Sequence, residues 1–204
     1  MLVSNGSKTA GAPASGFFER EKYYYQEDPR GNAIPKIATK EKRAMEQQLT
    51  TDQRFMLEAL REARRSALLD EVPVGAVIVH DGEIIARGGN RRETAQDPTA
   101  HAELIAIQAA AAALGSWRLC DCTLYVTLEP CTMCMGAIIL ARIPRLVFGC
   151  RDPRAGAAGS VHNFSADPHF NHRVEVTEGV LEELCGNLLS GFFFSLRERK
   201  KAVT

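Results

Sequence analysis

The rhythm of apolar positions changes several times along the chain, and each change marks an element. From Thr51 onward, Phe55, Leu57, Ala59, Leu60, Ala63 and Ala67 recur at helical spacing, with Asp52 placed to cap the helix. Val74 to His80 and Glu83 to Arg87 are short β-rich runs on either side of Asp81-Gly82, a dipeptide suited to the positive φ angles of a two-residue hairpin turn. Asp97-Pro98 supplies a cap and a first-turn proline ahead of an alanine-rich run to Leu114, and Gly115 ends that second helix. Thr123 to Leu128 reads as a buried strand, Pro130 to Ala141 as a helix opened by proline, and Arg145 to Cys150 as another apolar strand. A polar loop follows to Asn171. Val174 to Val176 gives a last strand, and Leu181 to Lys200 gives one or two helices broken near Ser190-Gly191. The order α-β-β-α-β-α-β-β-α predicts an α/β fold, a mixed five-stranded sheet covered on both faces by helices.

Residues 1–50 carry no such rhythm. Ser4 to Gly16 is rich in Gly, Ala and Ser, and Phe17 to Gln48 mixes scattered charges with Tyr23-Tyr24-Tyr25. The expected organisation is therefore a disordered extension over 1–50 and one folded domain over 51–204. The first 18 residues lack acids, as transit peptides do, but hold one Lys and no Arg, and they lack the apolar core of a secretory signal. The cytoplasm is the expected compartment, with organelle import by the extension left open.

Lys+Arg and Asp+Glu are balanced at 25 each, so any nucleic-acid contact must come from local clusters such as Arg91-Arg92, Arg151 with Arg154, and Arg197 to Lys201. Apolar runs such as Met133 to Ala141 fall short of the roughly 20 residues that cross a bilayer, so no membrane partner is expected. With no sign of an oxidising compartment, the six cysteines need not be disulfides. Cys120, Cys122, Cys150 and Cys185 sit among apolar residues and read as small core hydrophobes. The same holds for Phe192-Phe193-Phe194 beside Leu188, Leu189 and Leu196, although aromatics there could also stack on bases.

Two segments carry chemistry. His101-Ala102-Glu103 opens one helix and Pro130-Cys131-Thr132-Met133-Cys134 opens another. A helix N-terminus favours thiolate over thiol, and thiolates bind zinc. No second Cys pair of this spacing completes a closed four-ligand site, so His101, Cys131 and Cys134 form the natural set. Three protein ligands leave one position for water, whose pKa zinc lowers toward roughly 7. Glu103 is the carboxylate beside a ligand that could move the water's proton. Residues two apart on a regular helix point about 200° apart, so His101 and Glu103 share a pocket only at an irregular first turn. Asn90, after Gly88-Gly89, offers amide donors and an acceptor to a base or ribose, or is simply a turn residue.

His-x-Glu followed by Pro-Cys-x-x-Cys resembles the signature of the zinc-dependent nucleobase deaminases. Glu71 to Val77, Asp97 to Glu103, Leu124 to Cys134, and Arg151-Asp152 through Gly156 to Ser160 look like the bacterial tRNA-specific adenosine deaminases, over about 52–200. That resemblance implies the cytidine-deaminase-like three-layer α/β/α sandwich, a homodimer, one Zn²⁺ per chain, and conversion of the wobble adenosine of a tRNA anticodon to inosine. It makes His101, Cys131 and Cys134 the zinc ligands and Glu103 the proton shuttle. Asn90, Ala102 and Asp152 fall where the family holds the flipped nucleotide, and Arg151 joins them as a substrate-side residue. The extension before Thr51 has no counterpart there, and the loop Val161 to Phe170 diverges. Two other functions fit the same residues: a cytosine or guanine deaminase acting on a free base or nucleoside, and a non-catalytic RNA-binding module with a closed structural zinc. His101 speaks against the free-cytidine enzymes, which resemble this chain but use Cys there, and the two-residue gap between the cysteines against the riboflavin-pathway deaminases, whose gap is longer.

Overall fold

The computed structural model describes residues 25–27, 33–35 and 49–203. The chain divides into two units, Met1–Leu49 and Thr50–Thr204. In the first, β1 (Tyr25–Glu27) pairs antiparallel with β2 (Ala33–Pro35). The expectation of a disordered extension otherwise falls on residues outside the described set.

The second unit opens with α1 (Thr51–Leu68). Its cap is Thr50, not Asp52: Thr50 Oγ1 accepts from the Gln53 amide at 3.2 Å while Gln53 Oε1 accepts from the Thr50 amide at 3.0 Å. This reciprocal capping box satisfies two amides that the helix leaves open. It frees the Asp52 carboxylate for a partner farther along the chain. The strands β3 (Gly75–His80) and β4 (Glu83–Gly89) form the expected hairpin, and its turn residues Asp81 and Gly82 have φ of 49° and 78°. A short helix that the apolar pattern did not signal, α2 (Arg92–Ala95), follows. The next helix, α3 (Ala102–Leu114), starts later than Asp97-Pro98 suggested. Asp97 Oδ1 accepts from the Thr99 amide at 2.8 Å and its hydroxyl at 2.7 Å, which folds that segment into a separate turn. Gly115 ends α3 in the left-handed conformation, as anticipated.

Strand β5 (Cys122–Leu128), helix α4 (Thr132–Leu140) and strand β6 (Arg145–Cys150) make a parallel crossover unit, and β7 (Glu175–Thr177) extends the sheet. Strand order is β4-β3-β5-β6-β7, antiparallel at β4/β3 and β3/β5 and parallel from β5 onward. The chain closes with α5 (Glu182–Val203), one continuous helix rather than the interrupted one expected. A single helical glycine costs about 1 kcal/mol, too little to break a helix of this length unaided.

Side-chain alternation on the strands sorts the core into two layers. Ala76, Ile78, Leu124, Val126, Leu146 and Phe148 face Ala102, Ala106 and Ala110 of α3 and Met135, Ile138 and Ile139 of α4. Val77, Val79, Tyr125 and Val147 face Met56, Ala59 and Leu60 of α1 and Cys185 of α5. The result is the mixed five-stranded sheet between helical layers that the sequence implied. Gly88 is required by this packing, because a Cβ there would overlap the carbonyl oxygen of Ala102. Two core assignments fail. Cys120 precedes β5 and is exposed, and Phe193 and Phe194 are 38% and 56% exposed because the part of α5 packed in the core ends at Leu188. Cys122, Cys150 and Cys185 are buried as expected.

Candidate metal centre and active site

The carboxyl end of β5 runs directly into Glu129-Pro130-Cys131, so the crossover delivers a cysteine where the helical dipole begins. Cys131 is the N-cap of α4, with φ −74° and ψ 176°, and Cys134 lies buried in that helix's first turn. His101 is likewise the N-cap of α3, with φ −81° and ψ 151°. Its extended backbone resolves the orientation problem: His101 is not on the helix that carries Glu103, so the 200° separation does not apply. Neither cap residue spends its side chain on capping. Asn90 does so for α3, its Oδ1 accepting from the Ala102 amide at 3.0 Å. Both imidazole and thiol are thus turned inward.

His101 Nδ1 lies 3.8 Å from Cys131 Sγ and 3.6 Å from Cys134 Sγ, and the two sulfurs are 3.7 Å apart. A tetrahedral zinc with Zn–S of about 2.3 Å and Zn–N of about 2.05 Å requires S···S near ~3.8 Å and N···S near ~3.6 Å. The triangle therefore has the dimensions of that ion, and one imidazole with two thiols is a zinc donor set. Among the described residues these three form the one group of metal-ligand side chains whose donor atoms all lie within 4.8 Å of one another. Among the described residues no fourth metal-ligand side chain joins this group.

The electrostatics follow from packing two thiols and a ring so closely. The hydrogen bond from Cys134, with help from His101, holds the Cys131 thiol down to about 3, and Cys131 in turn pushes Cys134 upward. His101 is raised by its hydrogen bond to Cys131. Glu103 is only 3% exposed, and burial raises its carboxyl above the usual carboxylate range. It is in hydrogen-bonding contact with Cys134 and stands outside the donor triangle.

The remaining sequence-nominated residues divide. Ala102 is fully buried at the first turn of α3, and Asn90 is 7% exposed with its oxygen committed to Ala102, so its amide NH₂ is the group left to meet a ligand. Asp152 Oδ1 accepts from the amides of Arg154 at 2.9 Å and Ala155 at 3.3 Å, forming a turn. Arg151, half exposed, pairs with Glu178 at 2.6 Å.

Two buried acids escaped the sequence reading. Glu71, 1% exposed, accepts from the amides of Glu93 at 3.2 Å and Thr94 at 2.7 Å and from the Thr94 hydroxyl at 2.9 Å. Glu129, 2% exposed, accepts from the amides of Asp152, Ala158 and Ser160, each at 3.0 Å, and from the Ser160 hydroxyl. Burial opposes ionisation of both, yet these donors leave each carboxyl below its ordinary range. The available signal was an acid attached to an apolar strand run, at Leu124 to Glu129 and at Glu71 to Val79.

Comparison with known proteins agrees with this geometry. The family model for the cytidine and deoxycytidylate deaminase zinc-binding region matches residues 49–150. A tRNA-specific adenosine deaminase of Bacillus subtilis is 53% identical over 155 residues, covering 76% of this chain and 96% of that protein. One from Haemophilus influenzae is 51% identical over 151 residues, covering 74% of this chain and 87% of the other. A solved structure from a study of A-to-I editing by tRNA:A34 deaminases at the wobble position superposes with a TM-score of 0.65 at 49% identity, covering 67% of this chain and 99% of that one. The chain belongs to the zinc-dependent cytidine and deoxycytidylate deaminase family, in the group that contains the tRNA-specific adenosine deaminases.

Proposed function

We infer that the protein hydrolyses adenosine to inosine at the wobble position of a tRNA anticodon. The carrying observation is the His101, Cys131 and Cys134 triangle of zinc dimensions with the buried Glu103 beside it. His101 Nδ1 and the two Sγ atoms would hold the ion. Zinc there would supply Lewis acidity, enough to bring the pKa of water toward roughly 7.

Glu103 handles the protons. Its carboxylate takes one from the attacking water as oxygen adds to C6 of adenine, delivers it to the ring nitrogen N1, and passes the water's second proton to the departing amine as the C6–N6 bond breaks. The balance is adenosine plus water to inosine plus ammonia. The Asn90 amide and the backbone at Ala102 line the base, and the loop carrying Arg151, Asp152 and Arg154 receives the flanking nucleotides. A base in an anticodon loop is already unstacked more cheaply than one in a duplex, which suits a buried proton shuttle.

A tRNA substrate places the protein in the cytoplasm or in an organelle that translates; no helix among the described residues is long and apolar enough to cross a membrane. From its family resemblance we take the protein to work as a homodimer. Light scattering checks the mass.

The deciding experiment incubates the full chain, zinc-loaded, with a synthetic anticodon stem-loop bearing adenosine at the wobble position, and reads inosine by mass spectrometry. Inosine at that position alone is expected. Ammonia from cytosine or guanine with none from the stem-loop would overturn the reading.

A further inference from the structure

A loop, residues 151–160, with little regular structure of its own lies against the Cys131 turn. Three ties hold it to the metal-bearing turn. Cys131 and Gly156 form an isolated antiparallel bridge, the Ala157 amide donates to the Pro130 carbonyl at 2.8 Å, and the remaining donors converge on Glu129. Oε1 accepts from the amides of Ala158 and Ser160, and Oε2 accepts from the Asp152 amide and the Ser160 hydroxyl.

An ionised carboxylate has about four lone-pair sites, and here four donors fill them. Nothing is left for an ion or a substrate, so Glu129 cannot be a ligand or a proton carrier for the reaction. All four donors come from the loop and none from the sheet, so the side chain does not serve strand pairing. The strand contact is made by its backbone, whose amide donates to Cys150 at 2.9 Å. Gly156 completes the fit: a Cβ there would overlap Glu129 Oε2. The loop is a concave set of backbone donors, of the kind that takes up anions, occupied by the chain's own carboxylate.

We propose that Glu129 is a positioning residue for substrate, its carboxylate fixing loop 151–160 against the Cys131 turn so that the RNA-facing wall keeps one shape. The proposal rests on the function inferred above, for the loop matters to turnover only if the substrate reaches beyond the reacting base. Exposed Arg154 at the loop's outer side is a suitable contact for such a substrate. A wall left free to move would weaken substrate binding more than it would change proton transfer at Glu103, which is on α3.

The test compares the full chain with Glu129→Gln and Ser160→Ala. The amide of Glu129→Gln keeps the shape but turns one acceptor into a donor facing Asp152 and Ser160. Ser160→Ala removes one hydroxyl donor only. With zinc retained at one per chain, Glu129→Gln is expected to raise KM for the stem-loop by about tenfold or more while kcat changes less than about threefold, because hydrogen bonds to a charged acceptor are lost from the wall and not from the chemistry. Hydrogen exchange should quicken in 151–160 and not in α3, and Ser160→Ala should move both readouts the same way by less. An unchanged KM with unchanged loop exchange overturns the proposal, as does a loss of activity that only tracks lost zinc. If Glu129→Gln does not fold, Ser160→Ala decides by the same two readouts. If the wild-type chain forms no inosine, the function fails, and loop exchange alone still decides what Glu129 holds.

Discussion

Arg145 and Asp52, 93 residues apart, meet in a two-pronged pair, Nη1 to Oδ1 at 2.9 Å and Nη2 to Oδ2 at 2.7 Å. Tyr125 donates its hydroxyl to the same Oδ1 at 2.9 Å, so the first turn of α1 is fastened to β5 and β6 at once. Arg145, by its hydrogen bonds, holds the Asp52 carboxyl below its usual range. A carboxyl depressed in the folded state stabilises above its unfolded pKa of about 3.9 and loses that contribution as pH falls through the folded value. Asp52→Asn should therefore lower stability by about 1–2 kcal/mol at pH 7, with the gap to wild type narrowing below about pH 4. Urea unfolding at both pH values measures it; a gap independent of pH would mean the ion pair contributes nothing.

Cys131→Ala and Cys134→Ala should each abolish stoichiometric zinc, since two remaining protein donors do not hold the ion in a tetrahedral site. Elemental analysis of the purified variants reads this directly. Full zinc in both would remove these residues as ligands.

Glu103→Gln should keep zinc and fold while turnover falls by about 10²- to 10⁴-fold, the usual worth of a general acid-base group. The paired measurement is zinc content and single-turnover inosine formation. Near-normal turnover would take the proton shuttle away from this residue.

Glu71→Gln should loosen α2 and leave the metal triangle intact, because the Glu71 carboxylate accepts from three donors of residues 93 and 94 and from none in the triangle. Hydrogen exchange at Thr94 should speed up by about an order of magnitude, the loss expected for a charged hydrogen bond. Zinc lost along with that exchange would show that α2 supports His101 more directly.

Much of this was legible in the sequence because it depends on local rules. The Asp81-Gly82 turn, the Gly115 stop and the apolar strands each need only their neighbours. The candidate donor set was legible because His101, Cys131 and Cys134 are residue types with few other reasons to open helices. What escaped was long-range. Asp52 has the composition of a cap, and only folding brings Arg145 close enough to claim it. Glu71 and Glu129 are acids whose donors lie 22 to 31 residues away, in the four-residue helix α2 and in the 151–160 loop, neither of which has an apolar period to reveal it. The His101 to Glu103 geometry could not be settled before α3 was seen to begin one residue after His101.

Gly88 sets a mechanical tolerance. The helix start that carries His101 rests on a strand position without a side chain, and even a methyl group there would overlap Ala102, the residue next to the ligand. Relief would need roughly an ångström of movement between β4 and the start of α3, whereas a zinc donor set accepts errors of only about 0.2 Å. The accuracy of the candidate metal centre is thus machined partly by an atom that is missing from the opposite layer, and the alignment of imidazole with thiols is as much a property of β4 as of His101, Cys131 and Cys134 themselves.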